Sequence, residues 1–348
     1  MSKVAIITDQ HFGMRKGSQI FHDFIGKFYK DIFFPTLEER GIDTVIDLGD
    51  TFDNRRTIDF WSLDWAKKNY YDVLEEKGIQ VYTVVGNHTA YYKNTNAINT
   101  VDLLLSEYGN VKVISECQEV TVKNFPILFV PWINSENQDK TFDQISNTKA
   151  NVAMGHLELQ GFEAHPGYFH EKGIDSSLFK KFKKVFSGHY HTKSNRSNVY
   201  YLGNPYQIYW TDCDDKRGFH IFDTDTLKLE YIENQYKIYK KVFYNDQKND
   251  YLSQDTDDYK DKFIKIVVEK KTDFYKFDRF IESLVQTGVH DVKVIENYDI
   301  VSDAEDTIEV EDTLTTLEKY VGEIEDADLD KESIIDIIKS LYVEASEV

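Results

Sequence analysis

The chain predicts an α/β (α+β) fold, either a mixed sheet or two sheets packed face to face with helices outside. Strand-like and helix-like segments alternate across residues 1–235. From Val111 the pattern shifts to short β runs. A third observation locates the function. Five clusters of Asp, His and Asn each follow a short apolar run, where a strand gives way to a loop: Asp9-Gln10-His11, Gly49-Asp50, Gly86-Asn87-His88, Gly155-His156 and Gly188-His189-Tyr190-His191.

The first three strands are expected at Val4–Thr8, Thr44–Leu48 and Val81–Val85, with amphipathic helices at Phe21–Glu39 and Asp59–Lys77 between them. Short strands follow at Val111–Ile114, Glu119–Val122 and Ile127–Val130, then at Val152–Met154 and Val185–Ser187. Val199–Leu202, Gly218–Phe222 and Lys228–Ile232 complete the large domain, 1–240, with turn signals at Asp214-Asp215 and Asp223-Thr224-Asp225. The polar stretch Asn245–Asp261 breaks the chain. A β-α-β unit is expected within 260–298, as strand Phe263–Val268, helix Phe274–Gln286 and strand Val289–Ile295. An acidic linker, 299–312, leads to two C-terminal helices in 313–348. The second of these carries Ile334, Ile335, Ile337, Ile338, Leu341 and Tyr342, an apolar face too rich for a lone solvated helix.

With 348 residues, 41% of them hydrophobic, and 50 aromatic side chains, there is ample material for a core. No apolar run is long enough to span a membrane, and the start leads straight into a strand, so neither a membrane span nor a signal peptide is expected. Two cysteines, Cys117 and Cys213, make no disulfide framework and fit a reducing cytoplasm. The net charge of -20 argues at first against a nucleic-acid partner, but its distribution weakens the argument. Residues 1–240 carry 28 Lys and Arg against 32 Asp and Glu, a net -4, whereas residues 241–348 carry 13 against 29, a net -16. The acidity belongs to the tail, and divalent ions would make the region of the clusters locally positive.

Ligands gather at the carboxyl ends of strands in helix-flanked sheets, so five strands can aim their clusters at one place. Asp50 has two oxygens and can bridge two cations. Asp9 and His11 can face one ion, and His189 and His191 can divide between two. Asn87 offers a neutral oxygen and His156 a nitrogen. This mixed N/O set suits manganese, iron or zinc better than magnesium or calcium. Two ions about 3.5–4 Å apart can clamp a phosphate. His88 follows a candidate ligand and could stabilise the transition state or protonate the leaving oxygen without binding metal. Taken singly, Asp-x-His is usually a surface loop and Gly-Asp ordinary turn chemistry; it is the joint occurrence, each after an apolar run, that points to a dinuclear site. His22, His165, His170, His220 and His290 lack this context and read as surface or structural residues.

The ordered motifs Asp-x-His, Gly-Asp, Gly-Asn-His, Gly-His and Gly-His-x-His resemble the calcineurin-like metallophosphoesterase signature. A narrower resemblance is to the SbcD-type DNA double-strand-break repair nucleases, and within them to the recombination nuclease subunits of T-even bacteriophages. It rests on Gly49-Asp50-Thr51-Phe52-Asp53, Val85-Gly86-Asn87-His88, Val130-Pro131-Trp132, Gly155-His156-Leu157-Glu158-Leu159, Ser187-Gly188-His189-Tyr190-His191, Leu202-Gly203-Asn204-Pro205 and the C-terminal Leu341-Tyr342-Val343-Glu344-Ala345. The resemblance implies one metal on Asp9, His11, Asp50 and His191 and another on Asp50, Asn87, His156 and His189, with His88 as the catalytic non-ligand. It implies two Mn2+ per chain, with Mg2+ as a substitute. The implied activity is 3′-to-5′ exonuclease action on duplex DNA and endonuclease action on single strands. Also implied are a homodimer, an ABC-type ATPase partner whose coiled coil docks on the C-terminal helices, and a DNA-capping role for the β-α-β unit. For a phage-encoded chain the compartment would be the host cytoplasm.

One position departs from the family: an acidic residue usually follows Gly-Asn-His and can orient the histidine, whereas here it is Thr89. A weaker acceptor there leads to an expectation of reduced nuclease activity. Arg55 and Arg56, just past Asp50, are the candidates for DNA-backbone contact. Lys180, Lys181, Lys183 and Lys184 form either a phosphate-contacting patch or a solvated helix face. Two other readings compete: a metallophosphoesterase on a small substrate, and a weakly active scaffold subunit.

Overall fold

Val4, Ala5, Ile6 and Ile7 are apolar without alternation, which marks a strand covered on both faces. In the computed structural model, which describes residues 2–165 and 168–296, that strand, Lys3–Ile7, lies inside a six-stranded sheet. The order runs Lys228–Glu233, Gly218–Asp223, Lys3–Ile7, Thr44–Asp47, Gln80–Val84, Val111–Ile114. The last four strands are parallel, and Gly218–Asp223 closes antiparallel on Lys3–Ile7. A second six-stranded sheet runs Ser194–Arg196, Val199–Tyr201, Lys184–Gly188, Val152–His156, Phe125–Val130, Gln118–Val122. Its four inner strands are parallel.

The two sheets share one apolar layer, in which Val4, Ile6, Ile46 and Phe222 of the first meet Phe129, Met154 and Phe186 of the second. Of the two predicted arrangements, this is the pair of packed sheets. Because both sheets are parallel at their centres, the carboxyl ends of Lys3–Ile7, Thr44–Asp47 and Gln80–Val84 release their loops at one edge of one sheet. Val152–His156 and Lys184–Gly188 do the same in the other.

The two predicted helices cover the outer face of the first sheet. Helical backbone runs from Gln19 to Arg40 and from Phe60 to Glu76, each with one wide turn, at Tyr29–Phe33 and Lys67–Tyr71. The second starts where the Asp59 carboxylate accepts from the Ser62 N–H at 2.8 Å. Buried Phe28, Tyr29, Phe33, Tyr70 and Tyr71 pack together beneath the pair.

Beyond the large body, a three-stranded parallel sheet orders Tyr239–Asn245, Phe263–Lys270 and Asp291–Ile295, with helix Phe274–Thr287 packed on it. The helix begins at Asp273, whose carboxylate accepts from the Lys276 N–H, and ends at Gly288 with φ 89°. Against the β-α-β unit expected within 260–298, the structure adds the strand Tyr239–Asn245. The polar stretch after it is a crossover pinned by buried Tyr251 and Tyr259. The small sheet abuts the large body through Phe263, whose ring stacks on Phe21 at 5.6 Å. No described helix is long and apolar enough to cross a membrane. The acidic linker and the two C-terminal helices expected in 299–348 lie outside the described residues.

Phe129 is fully buried between the sheets. Phe129→Ala should cost about 3–5 kcal/mol in denaturant unfolding; a loss below about 1 kcal/mol would mean that the inter-sheet layer does not carry the fold.

Candidate metal centre

Main-chain hydrogen bonds tie part of the site together before any side chain is considered. The N–H of Asp9 donates to Gly49 O and that of His11 to Asp50 O, both at 2.9 Å, locking the first loop to the second. Trp132 N–H donates to Val85 O at 2.8 Å, bringing the Pro131-Trp132 loop beside Asn87. The glycines of the motifs allow close approach. A Cβ on Gly86 would stand 2.2 Å from Asp50 Oδ1, and one on Gly188 2.0 Å from Thr8 Oγ1. Asp9, His11, Asp50 and His189 all have left-handed backbone, with φ of 52°, 49°, 51° and 88°. Such strain, about 1–3 kcal/mol each, persists only where the surroundings fix it, and it collects at functional sites.

All seven side chains expected as ligands converge. Asp9, His11 and His191 form one group, and Asp50, His156 and His189 another, each with its ligand atoms within 4.8 Å of one another. Asn87 closes the second group, its Oδ1 lying 2.9 Å from His156 Nε2 and 3.0 Å from His189 Nδ1. Asp50 Oδ2 is 3.1 Å from His156 Nε2, while Oδ1 accepts the His88 N–H at 2.8 Å. Asp9 accepts the backbone N–H of His189 at 3.1 Å on both oxygens, joining the two groups. The donors fit a cation: Nε2 of His11 and Nε2 of His191 face each other at 3.1 Å, an approach of two ring nitrogens that a shared metal ion satisfies better than a shared proton.

Three of the candidate rings also have a group behind them, as metal-binding imidazoles commonly do. His11 Nδ1 lies 3.1 Å from Asp53 Oδ1, and His156 Nδ1 donates to Leu48 O at 2.8 Å. His189 Nε2 lies 4.0 Å from Glu158, which also meets His170 at 3.2 Å. Sequence reasoning missed the roles of Asp53 and Glu158, although both fell inside quoted motifs. It missed Asp47 as well. That carboxylate accepts from Gln10 Nε2 at 2.9 Å, Thr51 Oγ1 at 2.6 Å and Gly49 N at 3.1 Å, tying the first two loops together from below. Burial, only partly offset by these bonds, pushes Asp47 up to about 7. An aspartate inside an apolar run carries no spacing signal that would have exposed it.

Thr89 is corrected. Its hydroxyl accepts from Gly86 N at 2.8 Å and donates to Gly86 O at 3.1 Å, closing the turn. The His88 ring is oriented instead by the Asp53 carbonyl, 2.6 Å from Nδ1. The lysine cluster is corrected too. Residues 180–183 form no helix but a loop, with Phe179 and Phe182 buried and the Lys181 ammonium on the carbonyls of Ser146 and Thr148. They lie at the amino end of the strand whose carboxyl end bears His189, roughly 20 Å away along the chain. Among the other histidines, His22 is buried against Trp61 and Trp65, His220 against Tyr231, and His290 lies on Phe263. The side chain of His165 lies outside the described residues.

The electrostatics follow from packing acids against imidazoles away from water. Burial alone would raise Asp50, but His156, His88 and His11 hold it well below the usual carboxylate range. Burial alone would lower His156, yet Asp50 and Asp9 raise it to about 9. His189 is pushed down to about 3 by burial and by neighbouring His156.

This centre, on this pair of sheets, defines a metal-dependent phosphoesterase. Residues 2–193 match the family model described as calcineurin-like phosphoesterase, and the chain belongs to that family. Its donors are those of a family that binds divalent metal. It is 33% identical over 315 residues to exonuclease subunit 1 of Enterobacteria phage T4, covering 89% of this chain and 90% of that one. It is 21% identical over 262 residues to the D component of the nuclease SbcCD of Staphylococcus epidermidis, itself a named subunit, covering 65% and 67%. A novel archaeal phosphodiesterase superposes with a TM-score of 0.35 at 12% identity, over 67% of this chain and 99% of that one. The chain is thus a nuclease-like metallophosphoesterase related to a phage exonuclease.

Asp50 and Asp9 raise His156 to about 9, so a metal ion that took His156 as a ligand would displace a proton at neutral pH. Affinity for Mn2+ should therefore rise from pH 6 to 8, and binding should release protons. Calorimetry at pH 7.5 in buffers of different ionisation heat checks this; identical apparent heats would count against His156 as a ligand.

Proposed function

We propose that the chain is a manganese-dependent DNA nuclease that hydrolyses phosphodiesters with two ions, Mg2+ serving as a substitute. The observation that carries the reading is the convergence of seven N and O donors in two adjacent buried groups, Asp9, His11 and His191 in one and Asp50, Asn87, His156 and His189 in the other. Asp9, His11, Asp50 and His191 would hold one ion and Asp50, Asn87, His156 and His189 the other. When bound, the ions supply Lewis-acid charge on the phosphate and lower the pKa of the attacking water. The chain's own residues do the rest. Asp50 would be the carboxylate common to both ions. His88 gives its Nδ1–H to the Asp53 carbonyl, which leaves Nε2 as the ring position that can pass a proton to the leaving oxygen or stabilise the developing charge.

Both relatives are named as subunits, which supports action within a larger assembly, proposed as an ABC-type coiled-coil ATPase engaged in recombination and break repair in the host cytoplasm. The substrate modes proposed are 3′-to-5′ exonuclease action on duplex DNA and endonuclease action on single strands. Arg55 and Arg56 lie in the loop that follows Asp53, and neither forms an ion pair with a described residue, which supports their use on DNA phosphates. Exposed Phe60 and Leu103, on helices bridged by Lys67 and Glu107, support a homodimer surface. The small three-stranded sheet is the proposed DNA-capping unit.

Release of nucleotides from linear duplex DNA should require Mn2+ or Mg2+ and vanish in Asp50→Asn; release that survives chelation of divalent metal, or that survives in Asp50→Asn, overturns the reading. His88→Asn should lower kcat by about 10²–10⁴-fold while Mn2+ binding is retained. Arg55→Ala should reduce the salt slope of DNA binding by about 1, and an unchanged slope would remove Arg55 from the DNA contact.

A further inference from the structure

We infer that Arg217, acting with Asp212 and Tyr209, positions His191 in the metal centre; the inference rests on the two-ion reading above. Arg217 precedes the strand Gly218–Asp223 and is buried. Its Nη2 lies 3.0 Å from Asp212 Oδ1 and 3.2 Å from Asp215 Oδ2. Its Nη1 donates to two acceptors, Asn204 Oδ1 and the main-chain carbonyl of His191. One guanidinium therefore clamps the backbone of the ligand itself.

The other end of the ion pair reaches the ligand's ring. Asp212 Oδ2 accepts the N–H groups of Ile208 at 2.8 Å and Tyr209 at 3.0 Å, fixing the turn that presents Tyr209. The Tyr209 ring lies nearly parallel to the His191 imidazole, with centroids 5.9 Å apart and planes inclined by 17°. Gly203 completes the clamp: a Cβ there would stand 2.7 Å from the same His191 carbonyl. The carbonyl and the ring plane of His191 are thus both set by one buried ion pair. Lysine cannot reproduce this, because a single ammonium lacks the planar fork that serves two carboxylates and two oxygen acceptors at once.

A buried ion pair is by itself weak evidence of a contribution to stability, and anchoring the 204–215 loop would be the ordinary use of this one. The two roles predict different things. Loop anchoring alone would affect the whole molecule or neither ion. Positioning of His191 affects only the ion held with Asp9 and His11, and leaves the ion on Asn87, His156 and His189 as it was.

The test is Mn2+ titration of the full chain by calorimetry and electron paramagnetic resonance, in wild type, Arg217→Lys, Tyr209→Leu and Arg40→Met. Arg40→Met removes a solvent-facing ion pair with Glu230 in the same domain and serves as the control. Wild type and Arg40→Met should bind two ions and show a spin-coupled signal. In Arg217→Lys one ion should keep its affinity while the other weakens on the order of 10–100-fold, and the coupled signal should give way to that of an isolated ion. Tyr209→Leu, which leaves the ion pair whole, should show the same asymmetry to a lesser degree, and it carries the test if Arg217→Lys fails to fold. Equal weakening of both ions, or two unchanged ions in both variants, overturns the inference while the two-ion reading stands. Wild-type protein that takes up no Mn2+ overturns the two-ion reading and this inference with it.

Discussion

A carboxylate as deeply buried as Asp50 is destabilising unless positive charge and hydrogen-bond donors surround it. The rest of the structure meets that requirement. Three imidazoles, His156, His88 and His11, hold the charge in place in the metal-free protein, and the His88 backbone N–H bonds one of its oxygens. Each of these groups comes from a different loop or from the far end of a shared one, so the charge is compensated only when both sheets are complete. Folding and site formation are in this sense a single event.

That dependence explains why the strained backbone collects where it does. The left-handed conformations of Asp9, His11, Asp50 and His189 turn each carboxylate or ring away from its strand and toward the centre. Hydrogen bonds between loops help to hold them: Asp9 to Gly49, His11 to Asp50, His189 to Asp9. The apolar layer between the sheets, with Phe129 and Phe186 at its middle, keeps those loops in register. Behind these side chains stand further groups: Asp53 on His11, Glu158 near His189, Asp47 bonded to Gln10 and Thr51 beneath the first two loops, and Arg217 on the His191 carbonyl.

The acidic balance of the chain is consistent with a nucleic-acid substrate because charge is judged locally. The large domain is nearly neutral at a net -4, and bound divalent ions would add positive charge at the candidate site. The lysines 180–184, read as either a phosphate patch or a solvated helix face, lie at the opposite end of their strand from His189, with Lys181 tied to main-chain carbonyls. Charge in a sequence shows what is present; its use depends on which end of a strand it occupies.

Much of this was legible in the sequence. Apolar runs gave the strands, because a doubly covered parallel strand needs apolar residues at every position, and the residues just past them gave the loop donors. The seven converging side chains and His88 were readable because each sits beside a glycine or at an i, i+2 spacing that only a loop-borne site explains. What no sequence pattern held was contact between residues far apart in the chain. Asp53 shares His11 with His191 across nearly half the molecule, Thr89 turned out to serve its own turn and not the neighbouring ring, and Arg217 meets the carbonyl of His191 only because a strand of the first sheet comes up beside a loop of the second. The strand Tyr239–Asn245 was hidden for the same reason: its partner lies across a polar crossover. Local chemistry declares donors and turns; which distant group holds each donor still is decided by packing, and packing exists only in three dimensions.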